Sequence, residues 1–177
     1  DDVPECEHVR DYRDLVVSKL QNRPLNVYAA LGNNPDVLAG TRAVLGSLWE
    51  SSGLTDRERE LVILHSAAAA DCRYEWHQHV RISAGEGVSE AEMAAIADGE
   101  FDGFDGDDAV LLRYADAVST RTVKDAVHES FVEAYDESTA VGVVSLVNGY
   151  MSLAGVIDAF DVELEDGESF VGWDPRT

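Results

Sequence analysis

Lysine is nearly missing from this chain of 177 residues: of its 13 basic residues only Lys19 and Lys124 are lysine, against 35 acidic ones, for a formal net charge of -22. A surface so short of positive charge repels phosphate backbones and anionic membranes, so nucleic acid and membrane partners are not expected. Cysteine is almost as scarce. Cys6 and Cys72 are too few and too far apart for a disulfide scaffold or a four-thiolate zinc site, which suits a reducing, cytoplasmic location. The opening residues, Asp1 to Glu5, lack the basic and apolar regions of a signal peptide. Also missing are G-x-G-x-x-G, P-loop, G-x-S-x-G and H-E-x-x-H patterns, so nucleotide, serine-hydrolase and zincin chemistry lose their usual signals. Neither cofactor nor metal is expected. His65, His77, His79 and Glu75 invite a metal reading, but His77 and His79 diverge on a helix.

With no tandem repeat, low-complexity tract or Pro/Ser-rich linker, residues 1–177 read as a single domain. What remains is helical in period, and an all-α bundle is the expected fold class. A first helix is predicted from Glu7 to Gln21, ahead of Pro24, with a short helical bridge over Leu25 to Leu31. Asn34-Pro35 places a cap before a proline at the first helical position and opens a helix to about Ser51. Thr55 with Glu58 makes a capping box for Asp56 to about Ala70, with Leu61, Val62, Leu64, Ala68 and Ala69 pointing inward. After a break near Asp71-Cys72 a helix carries Arg73 to about Ala84. Ser89 with Glu92 repeats the capping box for Glu90 to Ala97. Further helices are expected over Asp108–Ser119, Lys124–Tyr135 and Ser138–Phe160. The greasy stretch Val141–Phe160 contains Asn148, Gly149, Ser152 and Asp158, and reads as a buried helix rather than a membrane span. Residues 161–177 form an acidic C-terminal tail.

Chemistry is concentrated in one region. Steps of three and four put Cys72, Glu75 and His79 on one helix face, while His77 points elsewhere. Glu60 sits in the first turn of the preceding helix, and a helix reversal would return it to that face. His79 is the natural proton carrier, burial would lift Glu75 or Glu60 toward its range, and a histidine beside Cys72 would favour the thiolate. Singly, each residue has a plainer reading: Cys72 as a small buried hydrophobe, Glu60 as a carboxylate at a helix N-terminus, Glu75 and His79 as an exposed i,i+4 pair. Arg57, Arg59, Arg73 and Arg81 are candidates to bind a substrate carboxylate.

The runs Arg57-Glu58-Arg59-Glu60-Leu61-Val62-Ile63-Leu64 and Cys72-Arg73-Tyr74-Glu75-Trp76-His77-Gln78-His79, followed by Gly87-Val88-Ser89-Glu90, resemble the core of the carboxymuconolactone decarboxylase and alkylhydroperoxidase D-like superfamily. The resemblance covers about 54–97. It implies a helical bundle of the alkylhydroperoxidase D type, a homo-oligomer (trimer or hexamer) with sites near subunit contacts, and Glu60, Cys72, Glu75 and His79 as catalytic positions. The redox branch of that superfamily spaces a Glu, eleven residues, then Cys-x-x-Cys-x-x-x-His. Glu60, Cys72 and His79 match, but Glu75 stands at the second thiol, which removes the adjacent dithiol. Acid-base work on a small lactone or organic acid is therefore the leading expectation. The alternatives are a single-cysteine hydroperoxidase that resolves its sulfenic acid with another thiol and a non-catalytic helical oligomer or binding protein.

The charge balance also points to a salt-rich host, because self-repulsion of this size is relieved as the Debye length falls from about 10 Å at 0.1 M salt to about 3 Å at 1 M. The melting temperature should accordingly rise between 0.1 and 2 M potassium chloride in differential scanning calorimetry. A midpoint indifferent to salt would refute the halophilic reading.

Overall fold

The computed structural model describes residues 17–18 and 23–170. Among the described residues a two-residue antiparallel ribbon pairs β1 (Val17–Ser18) with β2 (Arg23–Pro24), and eight helices follow: α1 (Asn26–Leu31), α2 (Pro35–Ser51), α3 (Asp56–Ala69), α4 (Arg73–Gly85), α5 (Glu90–Asp98), α6 (Gly106–Ser119), α7 (Asp125–Ala134) and α8 (Glu137–Ala159). The fold is all-α. The helix expected over Glu7 to Gln21 is corrected at Val17 and Ser18, which are extended because they pair with Pro24 and Arg23; its other residues lie outside the described ones.

Helix starts follow local chemistry. Asn34 accepts from the Val37 backbone N–H with Pro35 at the first helical position, and Thr55 with Glu58 and Ser89 with Glu92 each form the reciprocal capping box. Between α3 and α4 the chain reverses through Asp71, whose φ of 52° lies in the left-handed region. The Cys72 N–H returns to the Ala67 carbonyl at 2.9 Å across that reversal. A turn this tight lays α4 back along α3.

Helix α3 is the hub, packed against α4, α5, α6 and α8. Every side chain from Arg59 to Ala67 is buried. Val62 and Ile63 join the larger apolar cluster with Leu38, Leu45, Leu111, Phe131, Leu146 and Val147. Leu61 and Leu64 join a second cluster with Trp76, Met93, Ile96 and Leu112. The amphipathic expectation for α3 is thus overtaken by tertiary packing, and Ala69, expected inward, is exposed where the helix leaves the core.

Helix α8 carries no charge from Ser138 to Ile157. One face packs on α2, α3, α6 and α7, while Val141, Asn148, Ser152 and Gly155 are exposed. The helix expected to be buried is therefore buried on one side. Its start is locked against the α2–α3 connection: a Cβ on Gly142 would lie 2.2 Å from the Ser52 carbonyl oxygen, whereas one on Gly155 would meet nothing within 4 Å. Gly142→Ala should cost about 1–3 kcal/mol through this clash, and Gly155→Ala should gain up to about 1 kcal/mol of helix propensity. Urea denaturation in molar salt would measure both, and equal midpoints would show that α8 does not sit this close to Ser52.

Candidate active site

Glu60 is fully buried in the second turn of α3, where one face of that helix meets α4. Its Oε2 accepts hydrogen bonds from His79 Nδ1 at 2.9 Å and Ser83 Oγ at 3.0 Å. His79 and Ser83 stand four residues apart on α4, so both reach the same oxygen from one face. With Nδ1–H committed to Glu60, the imidazole keeps Nε2 as its acceptor. The ring is enclosed by aromatics: Tyr150 meets it edge-on at 5.3 Å between centroids, and Trp49 lies tilted at 6.5 Å. The Trp49 indole donates to the Tyr150 oxygen at 3.2 Å, and the Arg59 guanidinium stacks on that indole at 3.8 Å.

His79 forms part of the wall of a cavity of about 320 Å³. Tyr28, Leu45, Trp49, Glu75, Tyr150 and Leu153 line it, together with Arg42, whose guanidinium sits 4.5 Å from the Tyr28 ring centroid. Glu75 is buried, and neither carboxyl oxygen has a hydrogen-bond partner among the described residues. Burial raises its pKa well above the ordinary 4.5 and favours the neutral acid. The Tyr150 hydroxyl is likewise driven up, first by burial and then by the nearby Glu60 charge. The cavity therefore holds an oriented imidazole and a neutral carboxyl, a pair suited to taking a proton at one point and giving one at another.

Cys72 is the N-cap of α4 but takes a different direction. It lines a second, acidic groove beside Asp71, Asp158 and the C-terminal segment and is not among the residues of the His79 cavity. Burial pushes its thiol up to about 12, so the neutral thiol prevails at ordinary pH. Of the four sequence candidates, the structure unites Glu60 and His79 directly, sets Glu75 in the same cavity wall, and turns Cys72 away from it.

Other side chains fall outside this centre. His77 bonds Glu168 at 2.9 Å, and buried His65 lies 3.5 Å from Asp116. No cluster of metal-ligating side chains occurs among the described residues. None of the four arginines expected to bind a carboxylate lines the cavity: Arg57 pairs with Glu92 and Asp108, and Arg59 with Asp56. Arg42 is the arginine that lines the cavity. Its signal was absent from the sequence, because α1 and α2 reach the site only through packing. Trp49 and Tyr150, expected as core or contact residues, form cavity wall, and Ser83 adds a second donor to Glu60.

These features define a class, an all-α protein of the alkylhydroperoxidase D-like fold with a buried glutamate–histidine pair. Residues 35–117 match the carboxymuconolactone decarboxylase family, a span that contains Arg42, Trp49, Glu60, Cys72, Glu75 and His79. A peroxidase-related protein with an alkylhydroperoxidase AhpD core from Ralstonia eutropha superposes with a TM-score of 0.77 at 20% identity, covering 88% of this chain and 86% of that one. The debrominase Bmp8 superposes with a TM-score of 0.75 at 17% identity, over 94% of this chain and 89% of that one. A cysteine-to-alanine variant of Bmp8 in complex with 2,3,4-tribromopyrrole gives 0.71 at 16% identity, over 98% and 88%. No curated protein matches the sequence. The solved structures share the fold with this chain, and the family likeness is confined to residues 35–117.

The state of Glu75 has a measurable consequence. Because its native pKa is raised, the folded protein holds a proton that the unfolded chain releases above about 4.5. Stability tied to this group is complete below that value and is lost as pH climbs through the native pKa, at up to about 1.4 kcal/mol per pH unit. Glu75→Gln should therefore outlast the wild type in urea at pH 8, with the advantage shrinking toward pH 4.5. A constant difference across that window would show that Glu75 is not held neutral.

Proposed function

We propose that this protein is an enzyme performing acid-base chemistry on a small lactone or organic acid in the His79 cavity. The observation that carries the reading is the 2.9 Å contact between His79 Nδ1 and buried Glu60, set in a cavity wall that also holds a neutral Glu75 carboxyl. Nε2 of His79 takes a proton from carbon next to the substrate carbonyl. Glu60 fixes the ring's tautomer and stabilises the imidazolium that forms. Glu75 delivers its proton to the carbonyl oxygen as electron density moves there, so no bare enolate is left in a cavity of low polarity. In a decarboxylation, the bond to the departing carboxylate breaks instead and the same oxygen receives the Glu75 proton. After proton abstraction His79 returns that proton to carbon; after decarboxylation carbon takes a proton from water relayed through His79 Nε2, while the enol oxygen gives its proton back to Glu75.

The thiol reading needs Cys72 as a thiolate with access to peroxide. Its burial, its raised pKa and its place in the other groove all weigh against that, while the peroxidase-related neighbour offers a shared fold only. Turnover of a panel of small lactones and lactone acids, followed by ultraviolet absorbance and carbon dioxide release in molar salt, separates the readings. His79→Gln and Glu60→Gln should each lower kcat/KM by about 100-fold or more, and Cys72→Ser should leave it nearly unchanged. Hydroperoxide consumption that vanishes in Cys72→Ser, with lactone turnover indifferent to His79→Gln, would reverse the assignment. A chain inert toward the whole panel would favour a binding role.

A further inference from the structure

Glu75 is an unusual thing to bury. A carboxyl with both oxygens enclosed and no partner among the described residues normally costs a folded chain free energy that a glutamine or leucine would avoid. Its side chain belongs to the wall of the 320 Å³ cavity, so a small rotation of the carboxyl brings an oxygen to a molecule entering there, which can supply the missing partner. In its neutral form the group is a strong O–H donor, and the acceptor best suited to it is a carbonyl or lactone oxygen.

The rest of the wall narrows the choice. Tyr28, Trp49 and Tyr150 present ring surfaces, and Leu25, Val27, Leu45 and Leu153 are apolar. The wall offers no net positive charge: Glu75 is buried and neutral, Glu50 is exposed, and half-buried Arg42 is the one arginine or lysine among the described lining residues, with the Glu60 carboxylate buried behind His79. An anion drawn to full depth would give up its hydration beside the buried Glu60–His79 pair inside a molecule of formal charge -22, with half-buried Arg42 as the one guanidinium in the wall and exposed Glu50 in the same wall. A flat, uncharged molecule loses little by entering and covers the aromatic walls.

We infer that the cavity selects neutral, planar ring compounds bearing a carbonyl or lactone oxygen, with Glu75 as the donor that recognises that oxygen. This rests on the acid-base reading for the reaction but not for its test, which measures binding without turnover. Equilibrium dialysis in molar salt at pH 7 would compare coumarin, 1,2-dihydronaphthalene, which has a similar two-ring frame without the oxygens, and coumarin-3-carboxylate. Wild type should hold coumarin about tenfold more tightly than the hydrocarbon, because a site built around a hydrogen bond rejects the analogue that cannot make it. The anion should bind about tenfold more weakly than coumarin. Glu75→Gln keeps both the size and a donor and should retain the preference for coumarin over the hydrocarbon. In Glu75→Leu, which keeps the size and removes the donor, that preference should fall to within twofold.

Equal wild-type affinity for coumarin and hydrocarbon, a preference that survives in Glu75→Leu, tighter binding of the carboxylate, or no binding of any of the three would overturn the inference. Coumarin selectivity without turnover of any lactone would leave it standing and remove the enzymatic reading. Lactone turnover sensitive to His79→Gln, without coumarin selectivity, would do the reverse.

Discussion

Burying the Glu60 carboxyl is the constraint from which the rest of the molecule follows. Helix α3 is enclosed on every side between Arg59 and Ala67, so the partners of its polar groups come from within the protein, and Glu60 Oε1 has none among the described residues. Glu60 obtains its donors from α4, where His79 and Ser83 both converge on Oε2. Sliding α4 along α3 by one residue would lose both bonds at once and leave a buried charge without a partner. The same contact that fixes the register of the two helices orients the imidazole.

Two acidic residues and a thiol close together in sequence meet different fates because their surroundings differ. Glu60 has two donors on one oxygen, whereas Glu75, equally buried, has none among the described residues and is pushed toward the neutral acid. Cys72, three residues before Glu75, begins the helix and opens toward the acidic groove. At the position where the redox branch carries its second thiol, this chain has a proton donor. That exchange leaves Cys72 without a thiol three residues on, and the acid-base function we propose uses the carboxyl in its place.

The opposite side of α4 is held by acidic residues near the C-terminus. Glu165 accepts from the Tyr74 hydroxyl, the Gln78 amide and the Asn26 backbone N–H. Glu168 pairs with His77 and Arg23, and Phe170 lies under the Arg73 guanidinium at 4.4 Å. Carboxylates that look in sequence like part of a solvated acidic surface instead tie the start of α1, α4 and the tail together. The helix bearing Glu75 and His79 is thereby gripped by α3 on one side and the tail on the other.

What the sequence determined by itself was local. The Asn34-Pro35 start, the Thr55/Glu58 and Ser89/Glu92 capping boxes and the break at Asp71-Cys72 all occur where the residues called for them, because caps and turns involve neighbours a few positions apart. The common face of Glu75 and His79 was legible for the same reason. Tertiary structure decided the rest: that Glu60 reaches His79 across 19 positions, that α3 is buried all round rather than on one stripe, that Cys72 faces a separate groove, and that Arg42, Trp49 and Tyr28 complete the cavity. Helical periodicity places a side chain around its own axis. Only the packing of several helices decides whether that direction leads to water, to a partner or to a cavity, and with it the charge state on which the chemistry depends.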